Sequence, residues 1–187
     1  MRYLFAILLL VSMPAAATPK DEVHAAYTRF LAMKSFKADM NSTTGKYKSS
    51  STVEFVAPDR YRVTNIGQAS NLIIGNTMYI NMDGHAMKIP MPGLKDMIAQ
   101  YRNPEMLKEL AGDVVVESLG SELHNGKATK KYRYTMTKPV ASSNIMWVAA
   151  NGDILQIDTS GTLQKKPFHT VIQYSQFNSP AIKISTP

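Results

Sequence analysis

The chain has 187 residues, 44% hydrophobic and 19% charged, with 10 Gly and 10 Pro, which fits one folded domain and excludes a disordered, collagenous or coiled-coil chain. Lys and Arg number 21 against 14 Asp and Glu, yet the surplus is scattered, with Lys130-Lys131 and Lys165-Lys166 as doublets, so no basic arm points to nucleic acid; contact with an anionic membrane surface stays open. With no Cys there is no disulfide, no thiolate metal site, no thiol nucleophile and no lipid-modified N-terminal cysteine.

Residues 1–17 join a positive start (Met1, Arg2) to an apolar stretch, Tyr3 to Met13, and a small-residue close at Ala15-Ala16-Ala17, the layout of a secretory signal peptide cleaved before Thr18. The apolar stretch is too short to span a bilayer, which takes ~20 residues. The expected product is an exported, periplasmic domain over 18–187.

Thr18-Pro19-Lys20-Asp21 supplies an N-cap, a proline for the first turn and an acid beside it, predicting a helix to about Lys34. Val23, Ala26, Tyr27, Phe30 and Leu31 fall on one stripe of that helix. Period two follows: Phe36, Ala38 and Met40 alternate with Lys37 and Asp39, Val53, Phe55 and Ala57 with Glu54 and Val56, and Tyr61 and Val63 with arginines. Gly75-Asn76 and Asp83-Gly84 mark tight hairpins between strands at 71–74, 77–82 and 85–89. Leu94, Met97, Ile98 and Tyr101 then take helical spacing, and Pro104 starts a second short helix with Met106, Leu107 and Leu110. Strands resume near 114–123, 127–137, 143–150, 153–160, 168–176 and 181–185, with turns at Asn125-Gly126 and Asn151-Gly152. The pattern predicts an α+β fold: a curled antiparallel sheet of about ten or eleven strands, a half-open β-barrel, with an N-terminal helix and a helical insertion as a lid. So wide a sheet must close, stack or curl, and a curled one leaves an apolar hollow under its helices.

Catalytic chemistry has little footing. His24, His85, His124 and His169 have no acid or second ligand at a recognisable spacing, the Ser49-Ser50-Ser51 and Ser142-Ser143 runs lack a nucleophile elbow, and phosphate loops and HExxH are absent. No catalytic residue, metal site or cofactor is expected. Methionine is abundant, at 12. Its adaptable side chain suits acyl chains of varied shape, but it also fills cores, and the sequence leaves the two as even alternatives.

The run Val53-Glu54-Phe55-Val56-Ala57-Pro58-Asp59-Arg60-Tyr61-Arg62-Val63, with Asn71 to Tyr79 and Lys88-Ile89-Pro90, resembles periplasmic proteins of the LolA-like, outer-membrane-lipoprotein-sorting type. Ile145-Met146-Trp147-Val148 into Asn151-Gly152 and Tyr174 to Asn178 into Ile182-Lys183-Ile184 resemble the family's late hairpin and C-terminal strand. Each motif is loose, and their order carries the likeness. One departure is Ala57 before Pro58, where the family's lipoprotein carriers have an arginine linked to lid closure.

The resemblance implies a carrier, not an enzyme, that hides acyl chains of a lipoprotein or other lipid in its hollow between an inner-membrane donor and an outer-membrane acceptor. An exposed acyl chain costs ~0.8 kcal/mol per CH₂ in water, which is what a carrier removes. Alternation assigns Phe55, Tyr61, Val63, Leu72, Ile74, Met78, Ile80, Met87, Ile89, Tyr134, Met136 and Trp147 to the cavity lining, and Leu94, Met97, Ile98 and Tyr101 to the lid. The alternative is a module that senses envelope lipid or lipoprotein and acts through a protein partner.

Overall fold

The computed structural model describes residues 17–82, 85–95, 102, 104–112, 114–137 and 140–187. The signal-like segment, the Asp83-Gly84 turn and the lid positions Met97, Ile98 and Tyr101 lie outside the described residues.

Helix α1 (Pro19–Leu31) opens with the expected cap: the Thr18 hydroxyl accepts from the Asp21 N–H while the Asp21 carboxylate accepts from the Thr18 N–H. It stops three residues short of Lys34. The Ala32 N–H is shared between the Thr28 and Arg29 carbonyls and the Met33 N–H bonds the Phe30 carbonyl, which tightens the last turn before the chain enters β1.

The strands are β1 (Ser35–Thr44), β2 (Tyr47–Val56), β3 (Arg60–Asn65), β4 (Asn71–Ile74), β5 (Thr77–Met82), β6 (His85–Pro90), β7 (Val116–His124), β8 (Lys127–Met136), β9 (Ser142–Ala149), β10 (Ile154–Leu163) and β11 (Lys166–Ser175). Helix α2 (Glu105–Ala111) lies in the insertion between β6 and β7. All eleven strands form one antiparallel sheet in the order β6-β5-β4-β3-β2-β1-β11-β10-β9-β8-β7, curled but unclosed, as the half-barrel reading requires. At Asn125 (φ 50°) and Gly126 (φ 77°) the turn takes the left-handed backbone that a two-residue hairpin needs.

Register fixes the two faces, because directly paired residues of antiparallel strands share one side. Phe36 pairs with Phe55, Phe55 with Tyr61, Tyr61 with Ile73, Ile73 with Met78 and Met78 with Ile89, giving one row on the concave face. A second row runs from Met40 through Ile172 and Ile157 to Met146 and Tyr132. Helix α1 lies on this face, burying Val23, Ala26, Tyr27 and Phe30 against the core residues Tyr132, Tyr134, Met146 and Ile154. Its ends are tied down by Arg29 to Asp153 at 2.8 Å and by Glu22, which accepts from Lys130 and from the Tyr132 hydroxyl.

The same registers correct three inward assignments. Leu72 pairs with Arg62 and Tyr79, and Ile74 with Arg60 and Thr77, so both stand on the convex face, while Ile73 between them points inward. Apolar residues run through Leu72-Ile73-Ile74 without a break, so alternation had no polar partner from which to set the phase. Trp147 is also convex: it pairs with Lys131 and Gln156, donates its indole N–H to Glu122 and stacks on His124 at 5.0 Å between ring centroids. Concave positions on β9 belong to Met146 and Val148.

The expected strand at 181–185 does not form. Instead Arg62 donates to the Lys183 carbonyl at 2.9 Å and Arg60 to the Ile184 carbonyl at 2.8 Å, so this segment lies across the convex face where Leu72 and Ile74 emerge, with Ile182 and Ile184 buried.

Candidate functional site

A helix of 13 residues is ~20 Å long, whereas eleven strands spaced ~4.8 Å apart extend over ~48 Å of arc. One such helix cannot cover the concave face. It packs over the β7–β10 side, and the β1–β5 side is left with a cavity of about 330 Å³. Phe30, Phe36, Ala38, Met40, Val53, Tyr61, Val63, Ile73, Met78, Leu94, Ile172 and Tyr174 make its wall, and Ser51, Asn65 and Arg102 are its polar residues.

A chain of aromatic rings separates the helix-covered core from this cavity. Phe30 meets Phe36 and Tyr174, each at 5.0 Å, Phe36 meets Phe55 at 5.1 Å, and Phe55 meets Tyr61 at 5.1 Å. Such pairs hold their rings in tilted or edge-on geometry beyond what area alone provides. The wall fixes one end of the hollow, and the other end lies at the paired Ser51 and Asn65, four residues farther along β2 and β3, or ~13 Å.

Of the residues expected at the site, Tyr61, Val63 and Met78 line the cavity, and so does Leu94, 2% exposed. Phe55 stands in the aromatic wall. Ile80, Met87 and Ile89 share the concave face but sit on β5 and β6 toward the sheet edge, outside the cavity wall, with Met87 44% exposed. Tyr134 and Met136 face inward on β8 and are packed into the core rather than the hollow. Ala57, where the family departure falls, is exposed at the β2–β3 turn.

Sequence reasoning missed Arg102. Its Nη2 donates to the Phe30, Leu31 and Met33 carbonyls at the C-terminal end of α1, and its guanidinium carbon stands 4.0 Å above the centre of the Phe55 ring. Cation–π contact and the carbonyls hold a charge at the cavity wall. Burial pulls its pKa down, with Tyr61 and Tyr27 acting the other way, and arginine still keeps its proton in this setting. Burial also raises Tyr27, to about 12, and Tyr61, so both phenols are neutral. The one cue in the sequence is a cation ending an otherwise apolar helical stretch, which by itself reads as a solvated helix residue.

A second hollow, about 540 Å³, runs along the other side of α1 past Glu22, Arg29 and Lys130. These side chains are already engaged with one another or with Asp153, so it is bridged by ion pairs. Among the described residues no three His, Asp or Glu converge to hold a metal ion, and no helix is long and apolar enough to cross a membrane.

No protein-family model matches the sequence, and no curated protein matches it by sequence comparison. Solved structures do match the fold. The chain is similar to the lipoprotein LppX of Mycobacterium tuberculosis, at 14% identity and TM-score 0.64, covering 89% of this chain and 98% of that one. It is equally similar to LprF of Mycobacterium bovis, at 13% identity and TM-score 0.64 over 90% and 96% of the two chains. MucB matches at 15% identity and TM-score 0.52 over 92% of this chain and 62% of its own. The fold they share with this chain is the one that the LolA-like resemblance implied.

Proposed function

We propose that the protein is a carrier that sequesters an acyl chain of a lipoprotein or other lipid in the concave-face cavity and releases it by reversible opening, without catalysis. The observation that carries this reading is the apolar hollow beside α1, walled by Ala38, Val53, Val63, Ile73 and Met78. At about 330 Å³ it lies at the lower end of the range for small-ligand sites, which suits one chain rather than several. Each buried methylene contributes ~0.8 kcal/mol, so ten of them supply ~8 kcal/mol, which sets micromolar affinity as the ceiling from the tail alone before ordering costs are subtracted. The signal-like start supports a periplasmic carrier working between an inner-membrane donor and an outer-membrane acceptor. The proposed anatomy is a signal peptide over 1–17 and one lipid-binding domain over 18–187, with Leu94, Met97, Ile98 and Tyr101 as the lid.

Native mass spectrometry of protein purified gently from the periplasm tests the reading. A bound mass that organic solvent removes, together with uptake of the neutral apolar dye Nile red, is the expected result. Protein that carries no such mass and takes up no dye overturns it.

The likeness to MucB, also solved in complex with MucA(peri), supports a second reading: a module that reports lipid occupancy to a protein partner. A partner recovered in equal stoichiometry, bound differently with and without lipid, would favour that module over a carrier.

A further inference from the structure

Arg102 places a charge beside an apolar hollow. Among the described residues no carboxylate pairs with it, and the acids near the cavity are otherwise engaged, Asp59 with Lys95 at 3.5 Å and Glu54 with Arg62. Arginine has five N–H donors. Here one nitrogen, Nη2, serves all three carbonyls of the α1 terminus, while Nε is buried with no partner and Nη1 makes no hydrogen bond among the described residues. Buried donors without partners are rare and costly, so the unpaired donors mark a place where an acceptor is missing.

The surroundings say what kind of acceptor fits. Among the described residues Tyr61 and Tyr27 are the titratable groups that act on the guanidinium, and both stay neutral, so none of these residues cancels the charge. The Phe55 ring beneath fixes the plane of the group, and a planar guanidinium with open donors matches a carboxylate or phosphate. From Arg102 the floor formed by Phe36, Ala38, Val53 and Val63 runs for ~13 Å along β1–β3 toward Ser51 and Asn65. A polar anchor at one end of an apolar trough is the complement of an amphiphile.

We infer that the cavity takes a single-chain anionic amphiphile, its carboxylate or phosphate head on the open donors of Arg102 and its tail along the floor of β1–β3. The inference rests on the carrier reading and deepens it by naming the ligand class. The head neutralises Arg102, and the lipid then both fills the hollow and removes the orphaned donors. A neutral lipid fills the hollow but does not cancel the charge.

The test is displacement of Nile red from the folded protein by four twelve-carbon probes: dodecanoate, dodecyl phosphate, dodecanol and dodecyltrimethylammonium. The wild type is expected to bind one or both anions at least tenfold more tightly than dodecanol, with the cation weakest, and the two anions compared with each other distinguish a fatty-acid head from a phosphate head. Arg102→Gln should bring the anions to within about threefold of dodecanol, whereas Arg102→Lys should keep part of the preference. Equal binding of anions and dodecanol by the wild type overturns the inference and leaves the carrier reading standing. Failure of every probe and of Nile red to bind overturns both. The wild-type ratio decides the matter even if the variants do not fold. A preference that survives in folded Arg102→Gln also overturns the assignment.

Discussion

Ala38 is a position where a filled core and an empty cavity give opposite results. It is 4% exposed on β1, with Val53 of β2 on one side and Tyr174 of β11 on the other, and its methyl group belongs to the cavity floor. In a packed interior Ala38→Phe forces neighbours aside at a cost of ~1–3 kcal/mol. Here the ring has about 330 Å³ to enter, and burying it contributes up to ~1.5–3 kcal/mol, so the unfolding free energy should stay within ~1 kcal/mol of wild type. Binding should change far more. A ring on the floor takes the place of tail methylenes worth ~0.8 kcal/mol each, and excluding two weakens binding by more than about tenfold. Urea unfolding followed by Trp147 fluorescence and displacement of Nile red by dodecanol measure the two effects on one preparation. A loss of more than ~2 kcal/mol would mean that the space is filled core. An intact fold with unchanged affinity would mean that the tail does not pass over Ala38.

Acid should loosen α1 at a definite place. Hydrogen bonds from Lys130 and Tyr132 hold the Glu22 carboxyl below its ordinary value of 4.5, so its contribution is present above that pH and is lost as pH falls through the lower folded value. Glu22→Gln should therefore lower stability at pH 6 by under ~1 kcal/mol, the scale of a solvent-exposed pair, and match wild type near pH 3, read from urea midpoints at each pH. Ile184→Asp, placed where the C-terminal segment covers the convex face, should destabilise by ~2–3 kcal/mol through a buried carboxylate; a change under ~0.5 kcal/mol would show that the cover is not held there. Intact mass of exported protein should begin at Thr18, and retention of residues 1–17 would remove the periplasmic part of the reading.

Local chemistry alone determined much of this fold. The cap at Thr18 and Asp21 and the stripe from Val23 to Phe30 define α1 because both depend on residues within two turns of each other. Asn125-Gly126 sets its hairpin through the backbone angles that those residues tolerate, and strict alternation around Phe55, Tyr61 and Val63 fixes which side is wet. Such signals are short-range, so they survive without knowledge of the partner strand.

Tertiary structure decided what those signals leave degenerate. In Leu72-Ile73-Ile74 and Ile145-Met146-Trp147-Val148 both faces are apolar, and only pairing with Tyr61 and Tyr132 selects Ile73 and Met146 as inward. Residues 181–185 have strand-like alternation, but the arginines of β3 bind their carbonyls and no ladder forms. Arg102 acquires its meaning only when the end of α1, more than sixty residues earlier, and the Phe55 ring come around it. The hollow itself is a mismatch of lengths, one 13-residue helix against eleven strands, and no single segment encodes it. Pattern fixes which residues avoid water; only the assembled sheet decides whether they meet each other or leave room for a guest.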